Sequence, residues 1–109
     1  EFADSYDLNQ NYPNPFNPST KIRFTVPTLP LSLPYFEGKN EDGLVSLKVF
    51  DILGKEIATL VYEYKKPGIY EIEFNAVETL RGVSLPSGVY FYQIRVGNQI
   101  QTKKMILVR

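Results

Sequence analysis

The sequence contains no cysteine, no histidine and no tryptophan. Without cysteine there is no disulfide bond and no thiolate zinc site, and without histidine there is no imidazole to act as a base or a metal ligand. Serine–histidine and cysteine–histidine hydrolases are therefore excluded. Hydrolysis by a pair of carboxylates is still formally possible, but most acidic residues are predicted to lie in turns or on the exposed faces of strands. We predict a non-catalytic protein with no cofactor and no metal site.

Neither sign of charge is in excess, and no long apolar run is present. The 12 Lys and Arg residues balance 12 Asp and Glu residues and are spread along the chain, so there is no basic stripe of the kind that binds nucleic acid or anionic lipid. The apolar runs fall well short of the roughly 18 residues that a membrane-spanning segment needs. We predict no nucleic-acid partner and no membrane span. A length of 109 residues fits one domain with a single core.

Proline is concentrated near the start of the chain, where residues 11–20 read NYPNPFNPST. Each proline fixes its own φ angle, removes a backbone donor and disfavours helix at the preceding residue. Asn14 and Asn17 can fold back on the chain as Asx turns. We expect a stiff, strand-free segment that lies along the surface and leads into the first strand.

Apolar and polar residues alternate through most of the remaining chain, which is the pattern of half-buried β-strands. Short strands at this spacing in about 100 residues favour two packed antiparallel sheets. The predicted fold is all-β, an immunoglobulin- or fibronectin-like sandwich of about seven strands. Turns are predicted at residues 51–54, 67–68 and 97–98. The predicted core consists of Ile22, Phe24, Leu47, Val49, Ile72, Phe74, Tyr92, Ile94 and Val96.

Two connections are longer than a tight hairpin turn. Residues 27–43 carry several leucines, and we interpret them as a crossover that covers one end of the core. Residues 75–86 form a second connection, in which 77–81 could make one helical turn. The acidic stretch 38–43 lacks the ligand spacing of an EF-hand loop and is interpreted as a solvated turn.

Four blocks of residues occur in an order that resembles a known family. They read PNPFNPSTKI at 13–22, VSLKVFDILGKE at 45–56, SGVYFY at 87–92 and QTKKM at 101–105. Together they resemble the type A C-terminal sorting domain of the bacterial type IX secretion system, from about Tyr12 to Arg109. That family is similar to the immunoglobulin-like domain of the flagellar hook-capping protein, which agrees with the predicted sandwich.

The resemblance implies a sorting function. Residues 1–11 are then a linker or the tail of an upstream cargo domain, and residues 12–109 are the sorting domain. The implied partners are that cargo, an outer-membrane translocon that recognises the domain, and a sortase-like protease that cuts ahead of it. The implied route runs through the periplasm to the cell surface or the medium.

The family motifs fall on seven residues of this sequence, each of which also has a plainer structural interpretation. In that interpretation Gly88 provides a turn, Tyr90 fills the core, and the two lysines protect a sheet edge from aggregation. A structural role of this kind does not exclude a sorting role for the assembled surface. The candidate recognition residues are Pro13, Asn14, Pro15, Gly88, Tyr90, Lys103 and Lys104.

Two other functions fit a β-sandwich of this size. A carbohydrate-binding module would use exposed aromatic side chains, although tryptophan, the most favourable platform for a sugar, is absent. A passive spacer in a multidomain secreted enzyme would need no binding site. The aromatic candidates for the first alternative are Tyr35, Phe36, Tyr62, Tyr64 and Phe91.

Overall fold

A computed structural model describes residues 6–27, 44–77, 85–97 and 99–109. These residues form seven β-strands and, within the described ranges, no helix. The strands are β1 (Asp7–Leu8), β2 (Ser19–Val26), β3 (Leu44–Phe50), β4 (Glu56–Tyr64), β5 (Gly68–Asn75), β6 (Gly88–Val96) and β7 (Gln99–Leu107). The predicted all-β class is confirmed.

The strands form two antiparallel sheets. A three-stranded sheet has the order β1-β2-β5, and a four-stranded sheet has the order β4-β3-β6-β7. The chain passes between the sheets three times, from β2 to β3, from β4 to β5 and from β5 to β6. This arrangement of short strands in two sheets is typical of the predicted immunoglobulin- or fibronectin-like sandwich.

The period-2 pattern produces the core, because successive side chains of a strand point to opposite faces. In β2 the buried residues alternate with exposed or half-buried ones, and β6 shows the same alternation from Tyr90 to Val96. Eight of the nine predicted core residues are buried. The exception is Ile72, which is only half-buried, because β5 is an edge strand of the smaller sheet.

The predicted turn at residues 51–54 joins β3 to β4. Gly54 has a φ of 85°, a left-handed conformation that glycine adopts without steric cost. The pairing of β3 with β4 shifts register twice, after Leu47 and after Val49. Such irregularities are common at sheet edges, where they interrupt a regular ladder that another strand could join.

Several predictions from the sequence lie outside the described residues. These are the 28–43 part of the long connection, including the solvated turn and two of the five aromatic candidates, and most of the helical turn at 77–81. Among the residues that are described, no helix is long and apolar enough to cross a membrane. The same residues contain no cluster of acidic side chains able to hold a metal ion.

Candidate functional site

The proline-rich segment of residues 9–18, called here the lead segment, connects the two sheets. Tyr12 forms an isolated antiparallel bridge with Lys21 of β2, with both backbone hydrogen bonds at 3.0 Å. Phe16 forms an isolated parallel bridge with Leu107 of β7. The lead segment therefore runs from the three-stranded sheet to the edge of the four-stranded sheet that β7 forms.

Phe16 anchors the lead segment in the core. Its side chain is 2% exposed and meets the ring of Phe74 edge-on, with centroids 6.0 Å apart and planes at 65°. Such an edge-to-face contact suits the charge distribution of two aromatic rings. The expectation that the whole segment lies on the surface is thus wrong at Phe16, where burial of a large side chain outweighs the polar, proline-rich surroundings.

The backbone of the lead segment occupies part of the edge of β7. The Phe16 N–H donates to the Ile106 carbonyl at 2.9 Å, and the Val108 N–H donates to the Phe16 carbonyl at 3.0 Å. The Ile106 N–H donates to the Asn14 Oδ1 atom at 2.9 Å. Asn14 therefore supplies an acceptor where the regular backbone pairing stops, and the edge is capped rather than open.

Two glutamine side chains extend this contact towards the start of the described chain. The Gln10 Nε2 atom donates to the Lys104 carbonyl at 2.7 Å. The Gln101 amide pairs with the backbone around β1, accepting from the Leu8 N–H at 2.9 Å and donating to the Tyr6 carbonyl at 2.6 Å. The Gln101 side chain thus makes the two hydrogen bonds to the backbone around β1 that a neighbouring strand would otherwise make.

The hydroxyl of Tyr92 holds the lead segment from inside the sandwich. It donates to the Asn9 carbonyl and accepts from the Asn11 N–H, both at 2.7 Å, while the residue itself is fully buried. Burial raises the pKa of Tyr92 to about 12, although the hydrogen bond from Asn11 acts in the opposite direction. The neutral phenol is therefore the form that the fold requires.

A second buried polar group fixes the exposed ridge Pro13-Asn14-Pro15. The Asn11 Nδ2 atom donates to the Pro13 carbonyl at 3.1 Å and to the Thr20 Oγ1 atom at 3.0 Å. The Thr20 hydroxyl donates to the same Pro13 carbonyl at 2.8 Å. Asn11 and Thr20 are buried, whereas the ridge is exposed. The ridge is thus presented to solvent on a buried, hydrogen-bonded support.

Gly88 and Tyr90 belong to β6, which pairs with β7 on the side away from the lead segment. Gly88 pairs with Leu107 and Tyr90 pairs with Met105. Tyr90 is buried, and its hydroxyl donates to the Pro86 carbonyl at 2.7 Å. Burial raises the pKa of Tyr90, and the Asp51 carboxylate adds to that rise, whereas Arg109 opposes it. Tyr90 therefore contributes packing and position, and its ring is not displayed to a partner.

Lys103 and Lys104 point to opposite faces of the four-stranded sheet. Lys103 is half-buried on the face that carries the buried Met105, and Lys104 is exposed on the outer face, opposite Phe91. Neither lysine is in a described ion pair. Adjacent strand residues cannot form one patch on one face, so only Lys104 shares the outer surface of the sheet.

The structure gathers most of the candidate residues around one strand. The ridge 13–15 contacts the edge of β7, Gly88 and Tyr90 pair with it, and Lys104 belongs to it. Sequence reasoning missed Asn11, Phe16 and Gln101, which hold the arrangement together. A signal for Gln101 was available, because the period-2 pattern of β7 places a polar amide on the inner face, where it needs a partner.

Comparisons with known proteins agree with this arrangement. A family model described as a secretion system C-terminal sorting domain matches residues 10–108. Among solved structures, the chain is similar to dimeric latent PorU from Porphyromonas gingivalis, with a TM-score of 0.61 and 21% identity over 94% of this chain. It spans only 9% of the PorU chain, and the likeness concerns the fold alone. No curated protein matches the chain.

Proposed function

The chain belongs to the family of secretion system C-terminal sorting domains, and on that premise we propose which of its surfaces is recognised during export. Members of this family serve as sorting signals for type IX secretion, so the chain directs an attached protein to the cell surface or the medium. This family assignment favours sorting over a carbohydrate-binding module or a passive spacer.

The proposed recognition surface combines the exposed ridge 13–15 with the adjoining edge of β7. The observation that carries this proposal is the backbone pairing of Phe16 with β7, together with the bond from the Ile106 N–H to Asn14. Two parts of the sequence that are far apart thereby become one rigid surface. A surface that is ordered before binding loses less conformational entropy when a partner associates.

Lys104 is the charged contact that we propose for this surface. It is exposed on the outer face of β7, and its backbone carbonyl is bonded to Gln10 of the lead segment. An ammonium group without a carboxylate partner among the described residues is free to meet an acidic partner surface, which favours specificity and fast association. Lys103 is half-buried on the opposite side of the strand and serves here as an edge charge.

The sorting function also suggests a partner, an export route and a processing enzyme. We propose an outer-membrane translocon as the partner, a route through the periplasm, and a sortase-like protease that cuts ahead of the packed chain. The division into a cargo tail at 1–11 and a domain at 12–109 stays a prediction. The buried side chains of Tyr6 and Leu8 favour a junction closer to the start, since cleavage after them would remove part of the core. A likeness to the hook-capping domain is also a prediction.

A reporter protein fused ahead of residue 1 tests the function in a bacterium that has a type IX system. We expect export with the wild-type domain and retention of the reporter without it. The Lys104→Glu variant should be retained, whereas Lys66→Glu, which reverses an exposed lysine between β4 and β5, should be exported. Retention of the wild-type fusion would refute the sorting function. Normal export of Lys104→Glu would refute only the role of that lysine.

A further inference from the structure

The turn between β3 and β4 presents two aliphatic side chains to solvent. Ile52 is 71% exposed and Leu53 is 90% exposed. Single exposed apolar residues are common on protein surfaces, but these two are adjacent and stand at the tip of a turn. Because hydrophobic stabilisation scales with the apolar area removed from water, they contribute little to the folded state. Any role of Ile52 and Leu53 therefore lies in contacts with another molecule and not in packing of the core.

The tip is held rigidly by the residue that precedes it. The Asp51 Oδ1 atom accepts hydrogen bonds from the Leu53 N–H and the Lys55 N–H, both at 2.9 Å. The Asp51 carbonyl accepts from the Gly54 N–H at 3.0 Å, and its N–H donates to the Lys55 carbonyl at 2.9 Å. These bonds fix the backbone beneath both aliphatic side chains, so docking of the tip would require little further ordering.

The turn leaves the four-stranded sheet beside the proposed recognition surface. Phe50, the last residue of β3, pairs with Phe91 of β6, which in turn pairs with Lys104 of β7. Adjacent strands lie about 4.8 Å apart, so Phe50, which directly precedes the turn, lies about two strand spacings from Lys104. The Asp51 carboxylate also acts on the hydroxyl of Tyr90. The tip and the last strand therefore belong to one end of one sheet.

The charges around the tip favour an acidic partner. Glu56 is already engaged, because Lys48 lies 3.3 Å from it and the Thr59 hydroxyl donates to it at 2.6 Å. The hydrogen bond from Thr59 is the main reason that the pKa of Glu56 lies below its ordinary value. Lys55 and Lys104, by contrast, have no carboxylate partner within the part of the chain that the structure describes. The Asp51 carboxylate at the base of the tip already accepts two backbone hydrogen bonds. Among the described residues at this end, the charged groups left to meet a partner are therefore the ammonium groups of Lys55 and Lys104.

We propose that Ile52 and Leu53 insert together into an apolar depression, rimmed by carboxylates, on a protein of the export machinery. This inference rests on the proposed sorting function and adds a second contact to it. A projecting apolar tip requires a concave apolar receptor, since binding energy concentrates where large side chains are fully desolvated. The free ammonium groups of Lys55 and Lys104 then select a receptor with an acidic rim.

The test compares two exposed apolar sites in the same reporter fusion, which carries the whole chain. One variant is Ile52→Ser with Leu53→Ser, and a second is Leu53→Ser alone, which cannot disturb the core because Leu53 is 90% exposed. The matched control is Ile69→Ser, at an exposed isoleucine on the other sheet with an exposed fraction of 70%. We expect export to fall about tenfold or more in the tip variants and to stay at the wild-type level in the control.

Each other outcome overturns the inference in a recognisable way. Wild-type export of both tip variants overturns it and leaves the sorting function intact. Equal loss in Ile69→Ser overturns it, since exposed apolar residues then matter wherever they lie. Retention of the wild-type fusion overturns the sorting function and the inference together. Leu53-dependent sedimentation of the purified chain with anionic phospholipid vesicles, or Leu53-dependent dimerisation, would assign the tip to a lipid surface or a second copy instead.

Discussion

The lead segment and the turn at 51–54 both lie near the end of the four-stranded sheet that carries Phe50 and Leu107, but they are held in opposite ways. The turn is fixed by its own residues, since all the hydrogen bonds around Asp51 stay within five consecutive positions. The lead segment is fixed by residues far away in sequence, including Tyr92, Lys104 and Ile106. The first structure is local, whereas the second exists only when the sandwich has assembled.

This difference separates two kinds of contact surface. The exposed Ile52 and Leu53 side chains of this turn can be replaced with little loss of stability, so substitutions at these two residues report mainly on binding. A surface assembled from distant parts of the chain forms only when the whole domain is folded. A partner that binds this surface therefore binds only the folded domain. Because both surfaces lie near one end of the sheet, one partner could contact the specific side chains of the turn and also a surface that exists only in the folded domain.

The largest expected contrast in stability is between Phe16 and Leu53. Phe16→Ala removes a buried ring packed on Phe74 and should lower the free energy of unfolding by about 3–5 kcal/mol. Leu53→Ala removes an exposed side chain and should change it by no more than about 0.5 kcal/mol. Urea unfolding of the two purified variants measures both values. Similar losses in the two variants would contradict the assignment of Phe16 to the core.

A smaller loss is expected when only the Tyr92 hydroxyl is removed. Tyr92→Phe leaves the Asn9 carbonyl and the Asn11 N–H without the partner that each has at 2.7 Å. An unsatisfied buried polar group costs about 1–3 kcal/mol, and the loss should appear as a lower urea midpoint. Amide hydrogen exchange at Asn11 should also accelerate. Unchanged exchange at that amide would show that the hydroxyl does not hold the lead segment.

The same hydroxyl predicts an alkaline transition. The pKa of Tyr92 is raised to about 12 in the folded chain, above the value of about 10 of an unfolded tyrosine. Above pH 10 the unfolded chain therefore loses this proton first, and stability is present below about pH 10 and falls as pH rises towards 12. Unfolding of Tyr92→Phe should depend less steeply on pH in that range. Equal slopes for the two proteins would contradict the raised pKa.

The sequence pattern was sufficient to predict the buried faces of most strands. It was insufficient to predict how the lead segment contacts the two sheets. Period-2 alternation identified the buried faces of β2, β3 and β6, because alternation is a direct consequence of strand geometry. It overestimated the burial of Ile72, since the pattern does not say that β5 lies at the edge of the smaller sheet. The long-range hydrogen bonds of Asn11 with Tyr92 and of Gln101 with Tyr6 and Leu8 depend on which strands meet near the start of the described chain. No local pattern encodes that.

The candidate site could be predicted only in part, because local patterns do not encode its long-range contacts. The motifs placed the ridge 13–15 and the end of the chain in one hypothesis, but only the fold brings Asn14 to the backbone of Ile106. The opposite orientations of Lys103 and Lys104 were already implicit in the alternation of β7, where Met105 and Leu107 are buried. Phe16 could not be separated from its exposed neighbours, because a proline-rich segment has no regular period.

Two asparagines of the lead segment test whether this segment and β7 act as one recognition surface. Asn14 and Asn17 are both exposed and both precede a proline. Asn14 accepts a hydrogen bond from β7, whereas no side-chain hydrogen bond joins Asn17 to another residue in the described ranges. Export of the reporter fusion should be measured for Asn14→Ala and Asn17→Ala. We expect reduced export for Asn14→Ala alone. Equal export of the two variants would show that the lead segment and β7 are not recognised as one surface.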